Sequence, residues 1–150
     1  MIGWREWIRL PTLLALPIKA KIDSGARTSS VHSFGTRRFF DGGAPHVEFI
    51  LHPLQRRNAP AIACIAPIKD ERWVRSSNGD GEERIVVETE ARLGGIVWPI
   101  ELTLADRDVM GFRMLLGREA IRRRFLIDPG RSFRLSRRNP KAIRAYEPAS

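Results

Sequence analysis

Short runs that alternate apolar and polar residues, cut by glycine-bearing turns, constrain this chain more than any other feature. Ile18-Lys19-Ala20-Lys21-Ile22, His46 to Leu51, Arg84 to Leu93 and Ile96 to Leu104 each repeat at period two. That is the pattern of a strand with one face toward a core. Between and around them stand Asp41-Gly42-Gly43, Asn78-Gly79-Asp80-Gly81, Gly94-Gly95 and Asp128-Pro129-Gly130, all turn formers. The runs on either side of Gly94-Gly95 predict a hairpin with a two-residue loop. Only Arg118 to Phe125 reads as a helix, with Ala120, Ile121 and Phe125 on its apolar side. The expected architecture is mainly β: a small closed or partly open barrel with one short C-terminal helix.

With 150 residues, 43% of them hydrophobic, and four tryptophans, the chain can bury one core. A single domain over residues 1–135 is expected. Ser136 to Ser150 loses periodicity and gains proline, so residues 136–150 read as a basic, partly mobile extension. Trp4 and Trp7 are expected in the core. No apolar run approaches the roughly 20 residues of a membrane span, and Trp4-Arg5-Glu6-Trp7 stands where a secretion signal would need a continuous apolar stretch. The lone Cys64 excludes an internal disulfide, which suits a reducing compartment. A cytoplasmic location is expected. Between Arg118 and Arg144, ten basic residues face only Glu119 and Asp128, which places +8 of the net +9 in this window. Such a field attracts polyanions, whether acidic peptide or nucleic acid.

Two segments carry the chemistry. In Lys21-Ile22-Asp23-Ser24-Gly25-Ala26, an aspartate ends an alternating run and is followed by small residues, the way a carboxylate is presented on a tight loop at a strand end. Gly25 tolerates a twisted backbone and close approach, and Ser24 can hydrogen-bond a neighbouring loop. Asp-Ser-Gly alone also makes an ordinary turn. The second segment, Arg113-Met114-Leu115-Leu116-Gly117-Arg118-Glu119, is an apolar run that ends in glycine and an Arg-Glu pair. Together the two resemble the paired signature of retropepsin-like aspartic peptidases.

Further blocks narrow the resemblance: Gly3-Trp4-Arg5-Glu6-Trp7, His52-Pro53-Leu54-Gln55-Arg56, Arg75-Ser76-Ser77-Asn78-Gly79, Asp106 through Glu119, and Phe125 through Ser132. In this order they are similar to the bacterial retropepsin-like family often labelled ATP-dependent zinc protease, partners of ATP-grasp glutamate ligases. The resemblance implies an acid-protease fold and a peptidase acting on acidic, glutamate-tailed substrates, with a functional link to such a ligase. It implies that Asp23 is the catalytic carboxylate, that Ser24 and Gly25 shape its loop, and that Gly117 and Arg118 brace the loop's base. Retropepsins cover substrate with a hairpin flap, here expected at Asn78 and Gly79, although a plain surface hairpin fits the same residues. Arg27, Arg56 and Arg75, with Arg72 and Arg84, are candidates to bind acidic side chains, since the guanidinium fork suits a carboxylate.

Hydrolysis by carboxylates needs two of them sharing one proton. The chain has one Asp-Ser-Gly-Ala, and Asp41, Asp80 and Asp128 read as turn formers. A homodimer placing two copies of Asp23 about a two-fold axis is therefore expected. No metal or cofactor is expected. No His-Glu-x-x-His helix and no phosphate-binding Gly-rich loop is present. His32, His52 and Cys64 are the set a distorted zinc site would use, giving a zinc-dependent peptidase as one alternative. A non-catalytic module of the same fold that binds RNA through the basic window is the other. Cys64 is expected as a buried small hydrophobe, and His52 as support for a turn or a dimer contact.

Overall fold

The computed structural model describes residues 1–54, 60–75, 81–106 and 111–136, and of residues 74, 75 and 82 the backbone only. The strands are β1 (Ile2–Gly3), β2 (Arg5–Ile8), β3 (Ile18–Asp23), β4 (Ser29–Asp41), β5 (Ala44–Leu51), β6 (Ile62–Arg75), β7 (Gly81–Leu93), β8 (Ile96–Ala105), β9 (Met114–Gly117) and β10 (Ile127–Asp128). One helix, α1 (Arg118–Ile121), follows β9.

Strands β4 to β8 pair in sequence order as antiparallel neighbours, and β8 then pairs in parallel with the start of β4, from Ser29↔Leu102 to His32↔Ala105. The ring closes because β4 does two jobs. Its first residues lie between β8 and β9, and from Ser33 onward it pairs with β5. The change of partner coincides with a register shift between Phe34 and Arg37, the bend a bulge imposes on a strand. On the other side of β9 come β3 and β2. This is the expected mainly-β, partly open barrel.

The period-two runs form strands as read. In β3, Ile18, Ala20 and Ile22 are buried while Lys19 and Lys21 are half-exposed. Val47, Phe49 and Leu51 of β5, Val87 and Ala91 of β7, and Ile100 and Leu102 of β8 meet them in one core. Fully burying a side chain of the size of Phe49 or Leu102 stabilises by about 1.5–3 kcal/mol. The hairpin through Gly94 and Gly95 is present, with Leu93 opposite Ile96. Both glycines have positive φ (57° and 82°), as the favoured two-residue hairpin turn requires. The β4–β5 hairpin repeats the device at Gly42 and Gly43.

Two expectations need correction. The helix stops at Ile121 rather than reaching Phe125: Arg122 has ψ 141° and Arg123 has φ 65°. Phe125 is nevertheless buried, edge-on to Trp98 at 5.2 Å, so its apolar spacing is met by a turn and not by helix. Trp4 and Trp7 are half-buried, outside the core. Trp4 packs on Phe112, and Lys19 lies over Trp7 at 5.5 Å. The inward positions of β2 belong instead to Glu6 and Ile8.

Glu6 is fully buried. Its carboxylate accepts the Gly3 N–H (2.8 Å), the Arg134 and Ser136 N–H groups (2.7 and 3.0 Å) and the Ser136 hydroxyl (2.8 Å). This carboxylate ties the segment ending at Ser136 onto β2. Asp128 is a turn former, accepting the Gly130 N–H at 3.1 Å, and Asp41 closes β4 at the Gly42-Gly43 turn. Among the described residues no helix is long and apolar enough to cross a membrane.

Candidate active site

The loop after β3 is built around β9. Strand β9 runs parallel to β3, with Asp23 opposite Gly117, and antiparallel to β4, with Ser30 opposite Leu115. The chain therefore leaves β3 on one side of β9, makes the loop of residues 24–28, and returns as β4 on the other side. Where the loop crosses the end of β9 there is no room for a side chain. A Cβ on Gly117 would lie 2.5 Å from the Thr28 carbonyl and 2.9 Å from the Ala26 oxygen. The loop's carbonyls are also used: Arg118 N–H donates to Ala26 O at 2.7 Å and Glu119 N–H to Arg27 O at 3.0 Å.

At the tip of this loop, Asp23 is half-buried, and Ser24 and Gly25 are exposed. Gly25 N–H donates to Asp23 Oδ1 at 2.9 Å, and the same Oδ1 would stand 3.1 Å from a Cβ at position 25. The carboxylate is thus oriented by its own loop. Arg118 reaches back, its Nη1 3.4 Å from the Ser24 carbonyl. Behind it, Trp98 Nε1 donates to Ala120 O at 3.1 Å and fixes α1 on β8.

Beside the loop lie two adjoining cavities. One, of about 440 Å³, is bounded by loop residues 26–28, by Arg72 and Arg84, and by Ser30, Thr103 and Leu115. The other, of about 420 Å³, shares Arg27 and Arg72 and adds Arg124, Glu101 and Glu119. Arg72 is held by Glu101 (2.8 Å) and Asp70 (3.0 Å). Its hydrogen bonds to these carboxylates raise its pKa further above the ordinary arginine value.

The three candidate zinc ligands form no common cluster, although His32 and His52 both lie against the Phe34 ring, at 6.0 and 4.2 Å. His32 Nδ1 is 2.6 Å from Arg113 Nη1; a guanidinium can only donate, so Nδ1 accepts and Nε2 carries the proton, 3.7 Å from Asp106 Oδ1. His52 is buried and stacked on Phe34 at 4.2 Å. Cys64 is buried with its thiol 3.4 Å from the Leu13 carbonyl, and burial pushes its pKa up to about 11. Among the described residues no group of three or more His, Cys, Asp or Glu side chains could hold a metal ion.

A family model described as "Retropepsin-like aspartic endopeptidase RimB" matches residues 1–138. The chain belongs to this RimB-like family. Among curated relatives, the probable alpha-L-glutamate ligase of Shewanella halifaxensis is 47% identical over 139 residues, covering 93% of this chain and 30% of that protein. The probable alpha-L-glutamate ligase of Desulfotalea psychrophila is 46% identical over 129 residues, covering 86% and 28%. The RimB-like chain thus spans about 30% of the length of the curated relatives it matches. Its fold is shared with a Legionella pneumophila protein of unknown function, with a TM-score of 0.75 at 24% identity over 90% of this chain and 97% of that one.

In this RimB-like chain, Asp23, Ser24, Gly25, Gly117 and Arg118 come together at one loop, and Arg27 stands beside them. Arg56, Asn78 and Gly79 lie outside the described residues, and Arg75 is described by its backbone alone. Sequence reasoning missed Ser29. It is buried, and its Oγ accepts the Gly117 N–H at 3.0 Å, closing the loop against β9 from the β4 side. The signal was available in period two: Ser29, Val31 and Ser33 are the inward positions of β4. Arg113 was missed as well. It is buried and bonds both His32 and the Leu54 carbonyl, fixing the residues just before β9.

Proposed function

We propose that this chain is an aspartic peptidase whose active centre assembles between two copies, each contributing Asp23, and that it trims acidic, glutamate-tailed peptides or proteins. The observation that carries this reading is the single Asp23 loop, pinned at its base by Gly117 and Arg118 and open at its tip. One carboxylate cannot act alone as both base and acid. Two at contact distance share a proton, so the ionised one deprotonates water while the protonated one polarises the scissile carbonyl. The exposed Ser24 and Gly25 leave the loop accessible to a second copy across a two-fold axis.

The substrate class draws on two supports. Relatives that contain this domain are named as glutamate ligases, which fits a peptidase that removes what such a ligase adds, in the cytoplasm where the ligase has its ATP. Arginines line both cavities beside the loop. The test is mass spectrometry of a glutamate-tailed peptide incubated in EDTA with wild type and with Asp23→Asn. Shortening by wild type alone supports the reading. Shortening by both, or by wild type only when zinc is restored, refutes it.

A further inference from the structure

Strand β6 changes partner along its length. Ile62 to Pro67 pair with β5, and from Ile68 onward the pairing is with β7. The two strands part at Ile68 and Val87, beside a register shift between Ile68 and Asp70. From Glu88 onward β7 keeps β8 on one side, and on the other meets Arg9 at the single bridge to Arg92. Two strand edges therefore face each other across a gap, and among the described residues no ladder spans it. The turn after β2 floors this gap. Cys64 Sγ donates to the Leu13 carbonyl at 3.4 Å, and the Thr12 and Thr89 hydroxyls are 2.9 Å apart. Above that floor is a groove of about 540 Å³. Ile65 and Val97 line it and remain 57% and 50% exposed. A hydrophobic strand edge left open in this way is a template for another chain.

The charge of the groove is opposite to that beside the Asp23 loop. Each cavity at the loop is lined by three arginines, whereas the groove lining holds Glu88 and Glu90 and no basic residue. Lys69 and Arg92 pair with these carboxylates at 3.0 and 3.2 Å. Both pairs are exposed, and such pairs are worth little, so an incoming cation can compete for them. Pro99 lines both the groove and the second loop cavity, which joins the two regions. We infer that the groove is an exosite: it takes a basic, extended segment of the protein substrate as an added strand, while the glutamate tail of that substrate goes to the Asp23 side. The identity of the occupant rests on the peptidase reading, but binding tests the groove separately. Strand addition draws affinity from main-chain hydrogen bonds and selectivity from alternate side chains. One set points to the floor at Leu13 and is apolar. The alternate set points outward beside Glu88 and Glu90 and is basic, its aliphatic stems covering Ile65. The same two carboxylates turn an acidic tail away.

The experiment is titration calorimetry of the full chain carrying Asp23→Asn, with three probes. The first joins an alternating valine–lysine hexapeptide through a glycine–serine spacer to tetraglutamate. The second is tetraglutamate alone, and the third is the first with every second hexapeptide amide methylated. The first is expected to bind at least tenfold more tightly than either of the others. Ile65→Lys, or Glu88→Gln together with Glu90→Gln, is expected to remove that advantage. Phe40→Lys, which alters an exposed apolar residue beside the β4–β5 turn, should leave it within twofold. The inference is overturned if the methylated probe binds as tightly as its parent, if the groove variants keep the advantage, or if Phe40→Lys erases it. It is also overturned if Ile65→Lys lowers the mass seen in sedimentation, which assigns the edge to a second copy. A wild type that binds in the expected pattern but shortens neither tailed probe leaves the groove standing and removes the peptidase reading. Shortening of both tailed probes at equal kcat/KM, with no difference in binding, does the reverse.

Discussion

Replacing Gly117 with alanine is the sharpest test of how the Asp23 loop is held. The added Cβ would stand 2.5 Å from the Thr28 carbonyl carbon and oxygen and 2.9 Å from the Ala26 oxygen. All of these are backbone atoms, so no side chain can swing aside. Either β9 or the loop must move by roughly an ångström to restore van der Waals contact. Overpacking of this kind costs about 1–3 kcal/mol. The movement also strains the Arg118 N–H bond to Ala26 (2.7 Å) and the Gly117 N–H bond to Ser29 (3.0 Å), each worth about 0.5–1.5 kcal/mol. A loss of about 2–6 kcal/mol follows, against a total stability of roughly 5–15 kcal/mol. In a chain of this size that lowers Tm by roughly 10 °C, measured by circular dichroism or by the urea midpoint. Gly25→Ala is the internal control. Its Cβ meets only the Asp23 Oδ1, at 3.1 Å, so it should cost far less stability while still disturbing the carboxylate. Gly117→Ala melting within 1 °C of wild type would refute the threading argument.

Ser29→Ala leaves the buried Gly117 N–H without its acceptor, and urea unfolding should show a loss of about 1–3 kcal/mol. Glu6→Gln turns one acceptor oxygen into a donor among the N–H groups of Gly3, Arg134, Leu135 and Ser136. A loss of about 2–4 kcal/mol and faster amide exchange over residues 134–136 are expected. Asp23→Asn should abolish peptide shortening, a fall of at least 10²–10⁴-fold on the scale of general acid–base catalysis, with melting shifted by no more than about 0.5 kcal/mol. Cys64, its thiol pushed up to about 11 from an ordinary 9.0, should resist iodoacetamide at pH 8 until urea exposes it. Its contribution to stability is complete below pH 9, where the thiol is protonated in both states. It is lost as pH rises toward 11, because the unfolded chain gives up the proton first. Rapid labelling of the native chain would contradict the burial.

Strands and turns were legible because each depends on local pattern. Period two placed β3, β5, β7 and β8, and paired glycines fixed the hairpin at Gly94-Gly95 and the turn at Gly42-Gly43, where the positive φ values are a matter of local chemistry. The helix was over-read because Ala120, Ile121 and Phe125 carry helical spacing. Reversal at Arg122 and Arg123 satisfies the same spacing once Trp98 supplies the surface that Phe125 covers. Trp4 and Trp7 were misplaced for a related reason. Hydrophobicity argues for the core, but strand alternation had already assigned the inward position to Glu6, and a carboxylate is admitted there only because backbone donors from residues 134–136 arrive from the far end of the chain. No local pattern can reveal a partner roughly 130 positions away. The cavity arginines show the same limit: Arg72 and Arg84 were readable as cations, while their opposition across β6 and β7 follows from register alone.

That limit bears on how the site forms. Ser24 and Arg118 are separated by 94 residues, and the bonds that tie the Asp23 loop to the rest of the fold include those of Arg118 and Glu119 at the end of β9. Loop closure over such a separation is an entropic cost to be met before the contacts that reward it exist. The ring of β4 to β8 can assemble through neighbouring hairpins, whereas β9 must enter between β3 and β4 from the C-terminal side. An unpinned Asp-Ser-Gly-Ala is only a turn. The carboxylate therefore acquires a fixed direction when residues 114–119 insert, which ties its geometry to completion of the fold.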